Sequence, residues 1–236
     1  MNDEAVRPAP GLVVFDVGGT TIRDRGEVPA AFAQALAAGG IAVDEREIAV
    51  WRGASKRDAL RRLVGRELAG LSERGRPAKA AELYERFRAA LAEKLARTAD
   101  LSMPDAVATF ERLKVAGMRI ALNSGFDRDI MDLILSRVAW PAGLVDVVVC
   151  GEDVAHGRPA PDMIVASMER AGVRDAARVA VVGDTRLDME AGANAGARYR
   201  IGVLTGAHDR ATLERAPATH IVADLSAVPG VWGDDA

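Results

Sequence analysis

The stretch LVVFDVGGTT, from Leu12 to Thr21, decides the fold. Its first five residues form a short apolar run that ends at Asp16, and a pair of glycines follows one residue later. Apolar runs of this length, bounded by glycine, are typical of strands that are buried on both faces of a sheet. We therefore predict a central parallel strand with Asp16 at its carboxyl end.

Four more runs of this kind follow, and helical patterns separate them. The strand-like runs are RIALNS at 119–124, VDVVVC at 145–150, RVAVVGD at 178–184 and RYRIGVL at 198–204. Apolar residues at helical spacing mark 104–116, 128–138, 161–171 and 187–195. Strands that alternate with helices predict an α/β fold, here a Rossmann-like, doubly wound parallel sheet.

The strand signal disappears between about residues 27 and 99. This region is rich in Ala, Leu, Glu, Lys and Arg, which are good helix formers, and three helical segments are expected at 30–38, 55–68 and 78–97. The polar stretch SERGRP at 72–77 contains Gly and Pro and predicts a loop between two of these helices.

Two domains follow from this division. We predict an α/β core domain formed by residues 1–24 and 103–236, and an inserted all-helical cap domain formed by residues 25–102. The part of the core after Gly206 predicts a short helix and a strand, followed by a frayed tail.

The composition favours an enzyme that acts on a small molecule. The 236 residues are 49% hydrophobic and carry a formal net charge of −3, which gives no electrostatic reason to expect a nucleic acid partner. No apolar run approaches the roughly 18 residues of a membrane span, and the first residues lack the features of a signal peptide. We therefore expect a cytoplasmic protein. Cys150 is the single cysteine, so no internal disulfide can form.

Polar side chains stand where the predicted strands end. Asp16, Ser124 and Asp184 each close a strand, and Arg158 lies in the loop after the third strand. In an open α/β sheet, ligands bind outside the carboxyl ends of the strands. These four side chains are therefore expected to meet in one site.

The order of these residues resembles the haloacid dehalogenase superfamily over nearly the whole chain. The first motif of that superfamily, Asp-x-Asp-x-Thr, is represented by DVGGT from Asp16 to Thr20, with Gly18 in place of the second acid. The later motifs are represented by Ser124 in LNSG, by Arg158 in place of the usual lysine, and by Asp184 and Asp188 in GDTRLD. The resemblance implies a hydrolase whose nucleophile is Asp16.

The resemblance also implies a Mg²⁺ ion. Asp16 and Asp184 can supply two carboxylate oxygens, and the backbone carbonyl of Gly18 is expected to be a third ligand. Asp188 stands one helical turn beyond Asp184 and is expected to orient metal-bound water or to complete the surroundings of the metal.

Phosphate recognition is expected from the remaining motif residues. The hydroxyls of Thr20 and Ser124 and the amide of Gly125 can donate hydrogen bonds to phosphoryl oxygens. The forked guanidinium of Arg158 can neutralise their charge.

The missing acid at Gly18 makes ester hydrolysis unfavourable. The alkoxide that leaves a phosphate ester benefits from a proton donor, a step typically worth about 10²-fold to 10⁴-fold in rate. Glycine has no side chain that could donate this proton. An ordinary phosphomonoesterase is therefore disfavoured.

Within the superfamily, the chain resembles the phosphonoacetaldehyde hydrolase, or phosphonatase, family. Gly18 followed by Gly19, Thr20 and Thr21 reproduces its first motif. The family has a cap lysine that forms a Schiff base with the substrate aldehyde, and WRGASK, ending at Lys56, keeps the glycine and the lysine of that segment. An iminium next to the breaking C–P bond accepts its electrons, so no acid is needed. The resemblance also implies a homodimer.

Lys56 must lose its proton before it can attack a carbonyl. The ordinary lysine pKa is about 10.4, and burial or a nearby cation such as Arg52, four residues earlier, would lower it. The alternative is that Lys56 and Arg57 are solvated cations on a helix that begins near Ser55.

The substrate is expected to be phosphonoacetaldehyde or a related 2-oxoalkyl phosphonate. Arg52, Ala59 and Phe126 stand where phosphonatase has methionine, histidine and tyrosine, and the phosphonatase cysteine after the first motif is absent. These positions surround the aldehyde end of the substrate. The cation at Arg52 suggests an additional anionic group on that end.

The sequence is also compatible with other functions. A superfamily phosphatase or a haloacid dehalogenase would share the motifs, although the dehalogenase needs no metal. Loss of the second acid could also have left a catalytically silent phosphate-binding or interaction protein. FDVGGTTIR resembles the phosphate motif of actin-like sugar kinases, but the helical region that follows and the later GDTRLD argue against that fold.

Overall fold

A parallel sheet of six strands lies at the centre of the structure, a computed structural model that describes residues 9–232. The strands are β1 Leu12–Asp16, β2 Arg119–Ser124, β3 Val147–Cys150, β4 Val179–Gly183, β5 Tyr199–Val203 and β6 His220–Val222. Their order is β3-β2-β1-β4-β5-β6, and every neighbouring pair is parallel. β1 is therefore central, and all five of its residues are buried.

Four helices follow β1 and form the helical region. They are α1 Glu27–Ala38, α2 Glu45–Val50, α3 Lys56–Glu67 and α4 Gly75–Arg97. The all-helical character predicted for this region is confirmed. The exact division into core and cap domains stays a prediction.

Two details of this helical region differ from the sequence prediction. α2 was not predicted, because it is six residues long and buries none of them, so it has no apolar stripe to detect. The loop prediction was wrong for its last three residues, since α4 begins at Gly75 and includes Pro77. Proline is tolerated there because the first amide groups of a helix have no partner within the helix.

The helical region has an aromatic core of its own. Phe32 of α1 and Phe87 of α4 are buried, with ring centroids 6.1 Å apart in an edge-on arrangement. Tyr84 stacks beside Phe87 at 5.9 Å. These contacts hold α1 against α4, and α3 packs on the same helix.

Five further helices accompany the sheet. They are α5 Ala106–Val115, α6 Arg128–Val138, α7 Asp162–Ala171, α8 Arg186–Asn194 and α9 Arg210–Glu214. The predicted strands and helices of this part are confirmed to within two residues at each end, and so is the Rossmann-like α/β fold. The helix and strand predicted after Gly206 correspond to α9 and β6. The predicted tail extends beyond the described residues.

Helices long and apolar enough to cross a bilayer are absent from residues 9–232.

Candidate active site

The carboxyl edge of the sheet brings the predicted site residues together. Asp16 ends β1, Ser124 ends the neighbouring β2, and Asp184 follows β4 on the other side. A cleft lies between this edge and the helical region, and its walls include every predicted site residue except Thr20 and Asp188.

Arg158 links two carboxylates at the centre of this cleft. Its Nη1 lies 2.5 Å from Oδ1 of Asp16, and the same nitrogen donates to Oδ1 of Asp188. All three side chains are at least nine-tenths buried. Burial raises the pKa of Asp16 from 3.8 to about 6, because the loss of hydration and the charge of Asp188 outweigh the opposing charge of Arg158.

Asp184 is fixed by contacts on both of its carboxylate oxygens. Thr20 Oγ1 donates to Oδ1 at 3.2 Å, and the amide of Ala207 donates to Oδ2 at 2.6 Å. Burial, followed by the charges of Asp16 and Asp188, raises the pKa of Asp184 well above its ordinary value. The hydroxyl of Thr20 therefore serves Asp184 in this structure, and its predicted contact with phosphate stays a prediction.

Gly206 closes tightly over Asp184. A Cβ atom at position 206 would lie 1.9 Å from Oδ2 of Asp184, so only glycine fits without a shift of the loop. Gly206 was not predicted as a site residue, because it approaches Asp184 only after the chain has passed through α8 and β5.

Asp188 contacts Thr185 in addition to Arg158. Its Oδ2 accepts hydrogen bonds from the amide and the hydroxyl of Thr185, at 3.0 and 2.5 Å, which forms a capping box at the start of α8. Both oxygens thus have protein donors. The expected role of Asp188 near a metal stays a prediction.

The donor set at the strand ends fits Mg²⁺. Among the described residues, no group of three or more His, Cys, Asp or Glu side chains is arranged to hold a metal ion. Mg²⁺, however, is usually held by only one or two carboxylates, with waters and substrate phosphates as the other ligands. Burial, more than the neighbouring carboxylates, raises the pKa of both Asp16 and Asp184, and a cation bound between them would stabilise their charged forms.

Lys56 is buried at the first position of α3, where Ser55 is the N-cap. Its Nζ donates to the carbonyl oxygens of Trp51 at 2.7 Å and Ala54 at 3.1 Å. Burial, and next the charge of Arg158, lowers the pKa of Lys56 from 10.5 to about 8. The solvated alternative for Lys56 is therefore wrong. Arg52 also lowers this pKa, as predicted, but burial and Arg158 contribute more.

The turn 51–55 carries Lys56 to the cleft and packs on the core. Gly53 adopts a positive φ of 74°, and a Cβ there would lie 2.7 Å from Oγ1 of Thr185. Ser55 approaches the core loops at Gly125 and Gly157, where an added Cβ would lie 3.7 and 3.5 Å from it. This turn therefore contacts loops that follow three different strands.

An ion pair reinforces the same contact between the helical region and the core. Arg57 Nη2 lies 2.9 Å from Oδ2 of Asp127, the N-cap residue of α6. The guanidinium also lies 4.4 Å from the ring centroid of Tyr84. Arg57 remains partly exposed, so the alternative prediction of a solvated cation describes Arg57 better than it describes Lys56.

Three other residues of the cleft bear on its chemistry. Ser124 is buried, and its Oγ accepts a hydrogen bond from the amide of Phe126 at 3.1 Å. Arg52 is half-buried, and its guanidinium makes no hydrogen bond or ion pair with the residues that the structure describes. Asp24 also lines the cleft. It was not predicted as a site residue, because it lies in an irregular linker that carries no recognisable sequence motif.

The raised pKa of Asp16 predicts a pH-dependent stability in the metal-free protein. The folded state holds the proton more tightly than the unfolded state, so the stability contributed by Asp16 is present below about pH 4 and is lost as pH rises through about 6. Between pH 4 and pH 7, the wild type should lose about 3 kcal/mol of unfolding free energy relative to Asp16→Asn.

Urea denaturation of both proteins in EDTA measures this difference. The charge of Asp16 raises the pKa of Asp184, so the same curves for Asp184→Asn and for the double variant are needed to separate the two contributions. Parallel stability curves for the wild type and Asp16→Asn across this pH range would contradict the account of Asp16.

Comparisons with known proteins agree with this geometry. A family model described as haloacid dehalogenase-like hydrolase matches residues 10–196. A phosphonoacetaldehyde hydrolase from Latilactobacillus sakei is 34% identical over 196 residues, which cover 78% of this chain and 72% of that protein.

Solved structures share the fold. A hydrolase from Pseudomonas syringae has a TM-score of 0.80 at 24% identity, covering 94% of this chain and 97% of that one. A phosphonoacetaldehyde hydrolase-like protein from Oleispira antarctica has a TM-score of 0.79 at 20% identity, covering 98% and 94%. The resemblance found in the motifs is thus confirmed, and the chain belongs to the haloacid dehalogenase-like hydrolases.

Proposed function

We propose that this hydrolase cleaves the C–P bond of phosphonoacetaldehyde or a related 2-oxoalkyl phosphonate with the help of Mg²⁺. The observation that carries the proposal is a buried lysine amine, Lys56, in the same cleft as the carboxylate of Asp16. Similarity to a phosphonoacetaldehyde hydrolase supports it. The phosphonate is the expected small-molecule partner, and a homodimer stays a prediction.

The core residues bind and transfer the phosphoryl group in this mechanism. Asp16 attacks phosphorus and forms an aspartyl-phosphate, which water then hydrolyses. Arg158 disperses the charge of the phosphoryl oxygens, and its buried Nε has no hydrogen-bond partner among the described residues. A phosphoryl oxygen is an acceptor that would satisfy this nitrogen. The hydroxyl of Ser124 and the amide of Gly125 supply further donors.

Asp16, Asp184 and the carbonyl of Gly18 are the residues that would hold Mg²⁺. Bound there, the ion would supply positive charge that reduces repulsion between the nucleophile and the phosphonate. Thr20 and Ala207 position Asp184 for this task through their hydrogen bonds to its carboxylate.

Lys56 acts at the other end of the substrate. Its amine attacks the carbonyl carbon, water leaves, and an iminium forms next to the carbon that carries phosphorus. The C–P electrons then move into the iminium and give an enamine. With a pKa of about 8, about one amine in ten is neutral at pH 7, compared with fewer than about one in 10³ for an ordinary lysine.

The glycine at position 18 fits this chemistry better than ester hydrolysis. A Cβ added to Gly18 would meet no atom within 4 Å, so packing does not exclude an acid at this position. An ester phosphatase would use that space for a proton donor. Cleavage through an iminium needs none, because the enamine takes up the electrons of the broken bond.

Replacement of Lys56 by arginine tests the Schiff base. Arginine keeps the positive charge but cannot supply a neutral amine, so Lys56→Arg should release phosphate from phosphonoacetaldehyde at least about 10³-fold more slowly. Borohydride added during turnover should leave a reduced adduct on the peptide that contains Lys56, detected by mass spectrometry. Lys79→Arg, at a partly exposed position of α4 outside the cleft, is the matched control.

Two results would contradict the proposal. Rapid phosphate release by Lys56→Arg would exclude a Schiff base at this residue. Activity of the wild type that persists in EDTA would exclude the metal and favour a haloacid dehalogenase-type reaction.

Arg52 is expected to select the substrate. A half-buried guanidinium without a protein partner favours an anionic group on the substrate, such as the carboxylate of 3-phosphonopyruvate. Arg52→Met should lower kcat/KM for 3-phosphonopyruvate by about 10-fold to 100-fold, the loss expected for a hydrogen bond to a charged group, and leave phosphonoacetaldehyde nearly unaffected. Steady-state phosphate release measures both, and Arg46→Met, exposed on α2, is the control. If Arg52→Met kept the wild-type preference between these two substrates, Arg52 would have no role in substrate selection.

A further inference from the structure

Asp24 stands between the central cleft and a second cavity. The second cavity is bounded by residues 23–25 and 103–105 and by Thr205, Asp224 and Ser226. Among the described lining residues, only Asp24 and Thr205 belong to both cavities. The Asp24 side chain is exposed, so its carboxylate is in contact both with the site and with solvent.

The other ionisable groups of the cleft have assigned partners or cannot exchange a proton. Asp16 pairs with Arg158, and Asp184 accepts from Thr20 and Ala207. The arginines stay charged at any physiological pH. Oδ1 of Asp24 accepts only from the amide of Gly26, at 2.9 Å, and Oδ2 has no hydrogen bond to a described residue. Asp24 is thus the carboxylate in the described cleft that is available to move protons.

Asp24 and Lys56 line the same cleft, and the negative charge of Asp24 acts on the amine across it. The charges of Arg158 and Arg52 destabilise the ammonium, whereas those of Asp24 and Asp16 stabilise it. Among the described residues, the Lys56 amine donates only to the carbonyl oxygens of Trp51 and Ala54, so a water molecule in the cleft must connect it with Asp24.

We propose that Asp24 is the proton-transfer residue for Schiff base formation at Lys56, an inference that rests on the proposed function. Its carboxylate takes one proton from the Lys56 ammonium through a water molecule in the cleft, and the neutral amine attacks the carbonyl. The second amine proton moves to the carbonyl oxygen as the carbinolamine forms. Asp24 then returns its proton to the carbinolamine hydroxyl, which leaves as water. The ammonium has lost two protons, both are in the released water, and Asp24 is again a carboxylate.

The second cavity gives the same residue a role after C–P cleavage. The enamine must gain a proton on the carbon that carried phosphorus before the product aldehyde can leave. Asp24 can take that proton from solvent through the second cavity and deliver it in the cleft. Phosphorylated Asp16 has no proton to give at this stage.

The test measures imine formation separately from phosphoryl transfer. Acetaldehyde with cyanoborohydride reduces the iminium on Lys56 and needs neither phosphorus nor a metal. Asp24→Asn keeps the acceptor for Gly26 but cannot ionise, and the trapping rate at pH 7 should fall by about 10²-fold. Asp24→Glu should recover part of the rate. Asp224→Asn is the matched control, because Asp224 accepts from a nearby amide in the same way and lines only the second cavity.

If Asp24 acted only through its negative charge, the trapping rate would change in the opposite direction. Removal of a negative charge lowers the pKa of Lys56 further, so more amine is neutral at pH 7 and trapping should be faster in Asp24→Asn. A rate equal to or above that of the wild type would overturn the proposal. Imidazole, which carries protons but no negative charge, should accelerate trapping in Asp24→Ala, and a slow variant that imidazole does not accelerate would also overturn it.

The same experiment separates this inference from the proposed function. If the wild type gives no adduct on Lys56 with either acetaldehyde or phosphonoacetaldehyde, the Schiff base mechanism fails and the role of Asp24 fails with it. If the wild type is trapped and Asp24→Asn is trapped equally fast, only the role of Asp24 fails.

Discussion

The enclosure of charge at the carboxyl edge of the sheet is the constraint on which the site depends. Parallel pairing places Asp16 between β2 and β4, and Asp184 follows the adjacent strand, so two carboxylates must share a space with little water. Arg158 compensates only part of this charge, since the pKa of Asp16 stays raised. The same enclosure lowers the pKa of Lys56, because burial disfavours the charged form of acids and bases alike. One physical cause thus disfavours the charged forms of both the carboxylates and the amine that the proposed function uses.

The turn 51–55 connects the two halves of the proposed chemistry. The core provides the nucleophile and the phosphate contacts, whereas the helical region provides Lys56 through a turn that rests on the loops near Thr185, Gly125 and Gly157. The positive φ of Gly53 allows this close approach. In the proposed reaction, the leaving group is controlled by a part of the chain that is distinct from the superfamily motifs. Proteins with the same core can carry out different reactions when this part changes.

Local sequence was sufficient to predict the sheet and the residues that meet at its carboxyl edge. Short apolar runs that end in Asp16 or Ser124 give both a strand and the position of its last side chain, because parallel strands align their carboxyl ends. Contacts between distant segments were not predictable. Gly206 closes over Asp184, and Asp24 joins two cavities, only through the folding of segments that are far apart in sequence. Likewise, the hydrogen-bond partner of Thr20 is Asp184, which lies 164 positions later in the sequence.

Titration of Lys56 tests most directly whether burial prepares the amine. The chain has only four lysines, so ¹³C labelling at Cε gives four resolvable NMR signals, three of them from lysines outside the cleft. The account predicts that the Lys56 signal, assigned by its loss in Lys56→Arg, titrates with a pKa of about 8. A Lys56 signal that titrates at about 10.4, the ordinary lysine value, would contradict it.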